Sequence, residues 1–160
     1  MKSIDRLLAE VAEKLNVPPS VQNNPVSHLT LVLAKELAYA VECAAEEMGL
    51  NVVISVYNEG ANPILLHAMD GAFIASVNAA QDKAYTAAAL RMPTHVALQK
   101  SRGGDFDGLT NGNGILLLGG GYPLEANGKT HGAVGVSGGT KTQDITLAKL
   151  AADYFKTRMK

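Results

Sequence analysis

Lys83 is the residue whose setting most strongly asks for chemistry. On a helical wheel over Phe73 to Leu90 it shares a face with Ser76, Ala79, Ala80, Ala87 and Leu90, while Asn78, Gln81 and Tyr85 fall on the other side. An ammonium among small apolar side chains needs a partner, because burying it unpaired is costly. Three readings satisfy it: contact with the carboxylate of a bound small anion, a structural ion pair with Asp70 or Asp144, or a snorkelling side chain. Gly138-Gly139-Thr140 stands before a helix, where backbone N–H groups either face an anion or serve a tight turn and cap. Gly119-Gly120-Gly121 leads into Tyr122, which with Arg102 and Asp105 flanks glycine-rich loops and is placed to line a pocket.

Other chemistries fail on spacing. His28, His67, His95 and His131 are too dispersed for an H-x-x-x-H zinc site. Gly128-Lys129-Thr130 imitates the end of a phosphate-binding loop, but the pattern needs glycine where the chain has Pro123, and a strand rather than a helix follows. Ser137 lies in Gly135-Val136-Ser137-Gly138, not in G-x-S-x-G. No nucleophile has a placed base, so a binding protein is expected rather than an enzyme.

The elements that must position these residues follow from periodicity. Ile4, Leu7, Leu8, Val11 and Leu15 have helical spacing, and Asn16-Val17-Pro18-Pro19 stops that helix. Residues 16–27 read as an irregular connector, so residues 1–27 form an extension that packs on a neighbouring element or on another subunit, ahead of a domain over 28–160. Leu29 to Met48 reads as a helix with a stripe of Leu33, Leu37, Val41, Ala44 and Met48. Val52–Tyr57 and Ile64–Ala68 read as a hairpin across Asn58–Pro63. The alanine-rich helix Phe73–Leu90 has side chains small enough to lie close on a sheet. Pro93 starts a short second helix through Leu98 or ends the first, and residues 101–113 form a loop. A second hairpin is expected from Ile115–Leu118 and Ala133–Ser137, joined through Asn127-Gly128, a dipeptide that supplies two positive φ values. A last helix runs from Gln143 to Thr157, capped by Thr140 or Thr142, with Asp144 in its first turn. Two antiparallel hairpins among helices give an α+β class: a central antiparallel β-sheet with helices packed on it.

Composition narrows the partners. The chain has 160 residues, 47% of them apolar but only 5% aromatic, so the core rests on Ala, Val, Leu and Ile. A net charge of −1, from 14 basic and 15 acidic residues, leaves no electrostatic footprint for nucleic acid or an anionic membrane. No apolar run reaches the roughly 20 residues of a membrane helix. The N-terminus lacks a signal-peptide core, and Cys43 is alone, so a cytoplasmic location is expected.

Three motifs together carry a resemblance. Met69-Asp70-Gly71-Ala72 is followed by Ala80-Gln81-Asp82-Lys83-Ala84-Tyr85-Thr86-Ala87, then by Gly119-Gly120-Gly121-Tyr122-Pro123, then by Gly132-Ala133-Val134-Gly135-Val136-Ser137-Gly138 with Gln143-Asp144. Over about residues 29 to 155 this resembles the GlcG/HbpS-like family, which includes the C-terminal domain of PduO-type proteins. The chain differs at His67, where the family pattern implies a basic residue such as Arg, and in residues 1–24. The resemblance implies a profilin-like fold and a homo-oligomer. It also implies a non-covalently bound tetrapyrrole, haem or a corrinoid such as cobalamin. Some members instead sit near glycolate or diol metabolism, so an accessory protein or enzyme for a small hydroxy-acid or diol-pathway metabolite stays open, as does an oligomeric scaffold. The adenosyltransferase activity of PduO-type proteins belongs to a separate domain and is not carried over. Haem needs only one or two axial ligands, which can be far apart in sequence. His28, on an exposed connector, is the expected metal ligand, with Lys83, Gly120, Gly121, Tyr122, Gly138 and Gly139 expected around the ligand.

Overall fold

The computed structural model describes residues 2–16, 26–109 and 111–159; most of the expected connector, 17–25, lies outside the described residues. Helix α1 (Ile4–Lys14) is capped by Ser3, whose hydroxyl accepts the Arg6 N–H at 3.3 Å. Helix α2 (Leu31–Glu47) starts two residues later than its apolar pattern suggests, because Thr30 is its N-cap and accepts the Leu33 N–H at 3.1 Å. Strands β1 (Val53–Asn58) and β2 (Pro63–Ala68) form the first hairpin. Helix α3 (Ile74–Leu90) ends on Arg91 in the left-handed region, and Thr94–Lys100 forms the short helix α4. Strands β3 (Gly121–Ala126) and β4 (Lys129–Ser137) form the second hairpin, and α5 (Lys141–Arg158) closes the described chain.

The second hairpin corrects one expectation. Its turn is Asn127-Gly128, with φ of 52° and 73°, but its first strand is Gly121–Ala126 and not Ile115–Leu118. A two-residue turn requires the strand to reach residue 126, and Pro123 is tolerated because β3 is an edge strand. Ile115–Leu118 is instead a strap pinned by side chains. Thr86 accepts the Leu116 N–H at 2.8 Å, Asn111 accepts the Leu117 N–H at 2.8 Å, and the Thr94 hydroxyl donates to the Leu118 carbonyl at 2.6 Å.

Among the described residues the strands form one antiparallel sheet in the order β2-β1-β4-β3. Ile54, Val56, Val134 and Val136 face the larger core, built with α1, α2 and α5; Tyr57 and Ala133 face Ala84, Ala87 and Ala88 of α3. Both faces of β1 and β4 are therefore covered, which is why these strands read as nearly continuous buried runs. Leu7 and Val11 of α1 are buried in the larger core. No described helix is long and apolar enough to cross a membrane.

Candidate functional site

Glycine determines how close α3 lies to the sheet. A Cβ at Gly135 would collide with the Ala80 carbonyl and come within 2.6 Å of the Ala84 nitrogen, and one at Gly121 would run into the Lys83 carbonyl. That approach drives the Lys83 side chain through the sheet layer. It is fully buried, and its Nζ donates to Asp144 Oδ2 at 2.7 Å and to the Val136 carbonyl at 2.9 Å. Asp144 Oδ1 in turn accepts the Gly139 N–H at 2.9 Å. Gly120, at φ 119°, has room for no side chain: a Cβ there would lie 2.9 Å from Asp144 Cβ and 3.0 Å from Lys83 Nζ. Burial pushes the Asp144 carboxyl up and the Lys83 ammonium down, and the partner charge opposes each shift. Of the readings open for Lys83, the geometry supplies the ion pair with Asp144; Asp70 is exposed elsewhere.

Lys83, Gly120, Gly121, Gly138 and Gly139 thus meet at one end of the sheet, with half-buried Tyr122 beside them. The N–H groups ahead of α5 are taken by the chain itself. Gly139 donates to Asp144, and Thr140 donates to Gln143 Oε1 at 2.9 Å in a capping box.

The histidines lie in four different settings. His95 is part-buried, and its Nδ1 is buried without a hydrogen-bond partner. Burial, then the charge of Lys141, holds it below the usual histidine value. A metal-bound imidazole nearly always donates its other N–H, and this Nδ1 has nowhere to donate. His131 is buried, with its ring 5.6 Å from that of Phe155. His67 pairs with Glu42 at 2.8 Å, beside an open cleft of about 410 Å³ lined by Glu42, Glu46, Asn51, Ala68, Met69 and Asp70. The carboxylates there repel an anionic ligand.

His28 is exposed, and its Nδ1 lies 3.2 Å from Ser27 Oγ. The segment that carries it is held on both sides. The Val26 N–H reaches the Arg158 carbonyl at 3.4 Å, and buried Leu29 packs where a Cβ on Gly132 would stand, 2.8 Å from Leu29 Cδ2. Immediately after it, the large apolar side chains of Leu31 and Val32 are 51% and 48% exposed. The sheet does not bring His28 to the Lys83 cluster. Leu29 sits by Gly132, whereas Lys83 reaches the Val136 carbonyl, four residues and about 13 Å further along β4.

Sequence reasoning missed Leu31, Val32, Ser27 and the buried trio Glu36, Tyr154 and Arg158, in which the Arg158 guanidinium donates to Glu36 at 2.9 Å and the Tyr154 hydroxyl at 3.2 Å. The two apolar residues carried a signal, since both fall off the stripe of Leu33, Leu37 and Val41.

Known proteins share this architecture. The family model described as "Haem degrading protein HbpS-like" matches residues 29–153. An uncharacterised 15.0 kDa protein from the dhaT-dhaS intergenic region of Citrobacter freundii is 44% identical over 84% of this chain and 96% of its own length. The corrinoid adenosyltransferase PduO of the same organism is 29% identical over 96% of this chain, which spans only 48% of that relative. The crystal structure of a PduOC:haem complex superposes with a TM-score of 0.75 at 28% identity, covering 79% of this chain and 94% of that one.

Proposed function

The chain belongs to the HbpS-like family, and on that premise we propose that it is a small-ligand-binding protein that holds haem, or a corrinoid, non-covalently through His28. One observation carries the reading: His28 combines an exposed imidazole with adjacent exposed apolar side chains, Leu31 and Val32. A macrocycle needs both, a nitrogen for the metal and an apolar surface for its face. Ser27 Oγ at 3.2 Å suits the donor role, because an Nδ1–H given to the hydroxyl leaves the Nε2 lone pair facing outward. Bound there, haem would be held through the His28 imidazole and would supply redox-active iron. The relatives described above, one a haem complex and one a corrinoid enzyme, support a tetrapyrrole.

The same reading includes self-association. Phe73 and Ile74 at the start of α3 are 71% and 91% exposed, and β2 is an open sheet edge with Leu66 43% exposed. Apolar surface and unpaired strand edges of this kind are what a homo-oligomer covers.

Absorbance titration of the purified protein with haem, and in parallel with aquocobalamin, tests the proposal. The expected result is a saturable, equimolar Soret shift that is lost in His28→Ala. A shift that survives in that variant moves the ligand to another residue. Absence of saturable binding by either tetrapyrrole rejects the function.

A further inference from the structure

We propose that Lys35 makes the His28 surface selective for a tetrapyrrole with a carboxylate edge, that is, for haem over a corrinoid. The inference rests on the reading of His28 as the metal ligand and adds what orients and selects the macrocycle. In α2, Leu33, Ala34, Glu36 and Leu37 are buried, and Leu31, Val32 and Lys35 are exposed. Lys35 follows Leu31 by four residues and Val32 by three, so it rises on the same face one turn further on, with Cβ atoms about 5–6 Å apart. The apolar pair and the ammonium therefore succeed one another along one face of α2, and exposed His28 precedes that face by three residues.

The charge on that surface is unspent. Lys35 makes no hydrogen bond or ion pair among the described residues. The next carboxylate on the helix, Glu36, is buried and held by Arg158, whereas Glu42 and Glu46 border the cleft at the other end of α2. The same helix thus presents a cationic apolar surface near its start and an acidic cleft near its end. Haem carries two propionates on one edge of an otherwise apolar disc. A corrin ring carries neutral amides around its rim, which gain nothing from an ammonium; the one anion of cobalamin is the phosphodiester of its nucleotide loop, which cobinamide lacks. An exposed ion pair of this kind is worth about 1.5- to fivefold in affinity, and salt weakens it.

The test compares haem with haem dimethyl ester, which keeps the iron and the disc but removes both charges. Each is titrated into wild type, Lys35→Gln, Lys35→Arg and His28→Ala, with diaquocobinamide, whose water ligands His28 can displace, as the corrinoid without carboxylates. Wild type is expected to prefer haem over its ester by about 1.5- to fivefold. Lys35→Gln should erase that preference without moving the Soret band or the ester affinity, and Lys35→Arg should restore it. An unchanged haem-to-ester ratio in Lys35→Gln overturns the proposal, as does cobinamide binding as tight as haem in wild type. The two readings fail separately. A band indifferent to His28→Ala, with a ratio that still depends on Lys35, removes His28 and keeps Lys35.

Discussion

Lys83 and Asp144 show how far a buried charge depends on its partner. The ammonium lies 2.7 Å from the carboxylate, and neither group is open to water, so each is tolerated only because the other is present. Lys83→Ala strips Asp144 of its counter-charge and should cost about 3–5 kcal/mol of folding stability. Asp144→Asn combined with Lys83→Met removes both charges, keeps an acceptor for the Gly139 N–H, and should cost clearly less than the single change. Urea unfolding of the three proteins measures this; a double variant as unstable as Lys83→Ala would show that the lost hydrogen bond to the Val136 carbonyl, and not the stranded charge, sets the cost. The helical wheel predicts the inward direction of Lys83, since periodicity fixes the face a residue takes. It leaves the partner open between Asp70 and Asp144, because nothing local says which distant carboxylate the fold will bring to that face.

At the scale of elements, α3 and the strand it covers act as one piece. The helix contributes Ala80, Ala84, Ala87 and Ala88, and the sheet answers with Gly121 and Gly135. Small residues on both sides let backbone approach backbone, and the alanine content of the helix and the glycines of the strands make that closeness legible in the sequence. Gly135→Ala places a methyl group against the Ala80 carbonyl and the Ala84 nitrogen, atoms that cannot move without moving the helix. Such overpacking should destabilise by about 1–3 kcal/mol or more. Gly112→Ala, whose new Cβ meets nothing within 4 Å, is the control and should be close to neutral. Equal midpoints for the two variants in chemical denaturation would mean that α3 does not sit this close in solution. The element that escaped was β3. Pro123 and three glycines argue against a strand, while Ile115–Leu118 looks like one; the edge position of β3 tolerates the proline, and Thr86, Asn111 and Thr94 hold the apolar run as a strap.

Across the whole molecule, sequence separation and spatial separation part company. The sequence joins His28, Lys83 and the glycines of 120–121 and 138–139 into one ligand set, but β4 puts about 13 Å between Gly132, beside Leu29, and Val136, beside Lys83, and no motif spacing encodes that distance. The same holds for residues 1–27, which read from the sequence as a helix and connector extending ahead of the domain over 28–160. In the structure α1 completes the layer on which the His28 segment rests. Leu7 and Val11 are 1% and 0% exposed in the core shared with α2 and α5, and Lys2 pairs with Glu10 at 2.8 Å and with Glu47 at 3.4 Å. The exposed ion pairs add little, so the attachment of α1 rests on its two apolar anchors. Leu7→Ala should therefore cost about 2–5 kcal/mol, the range for emptying a filled core position. Because the anchors lie in the common core, the loss should appear as one cooperative transition moved to lower denaturant, seen alike by circular dichroism and tyrosine fluorescence. An early partial transition with the main one unmoved would identify α1 as a separately docking arm, and its release would then leave α2 and the surface around His28 intact.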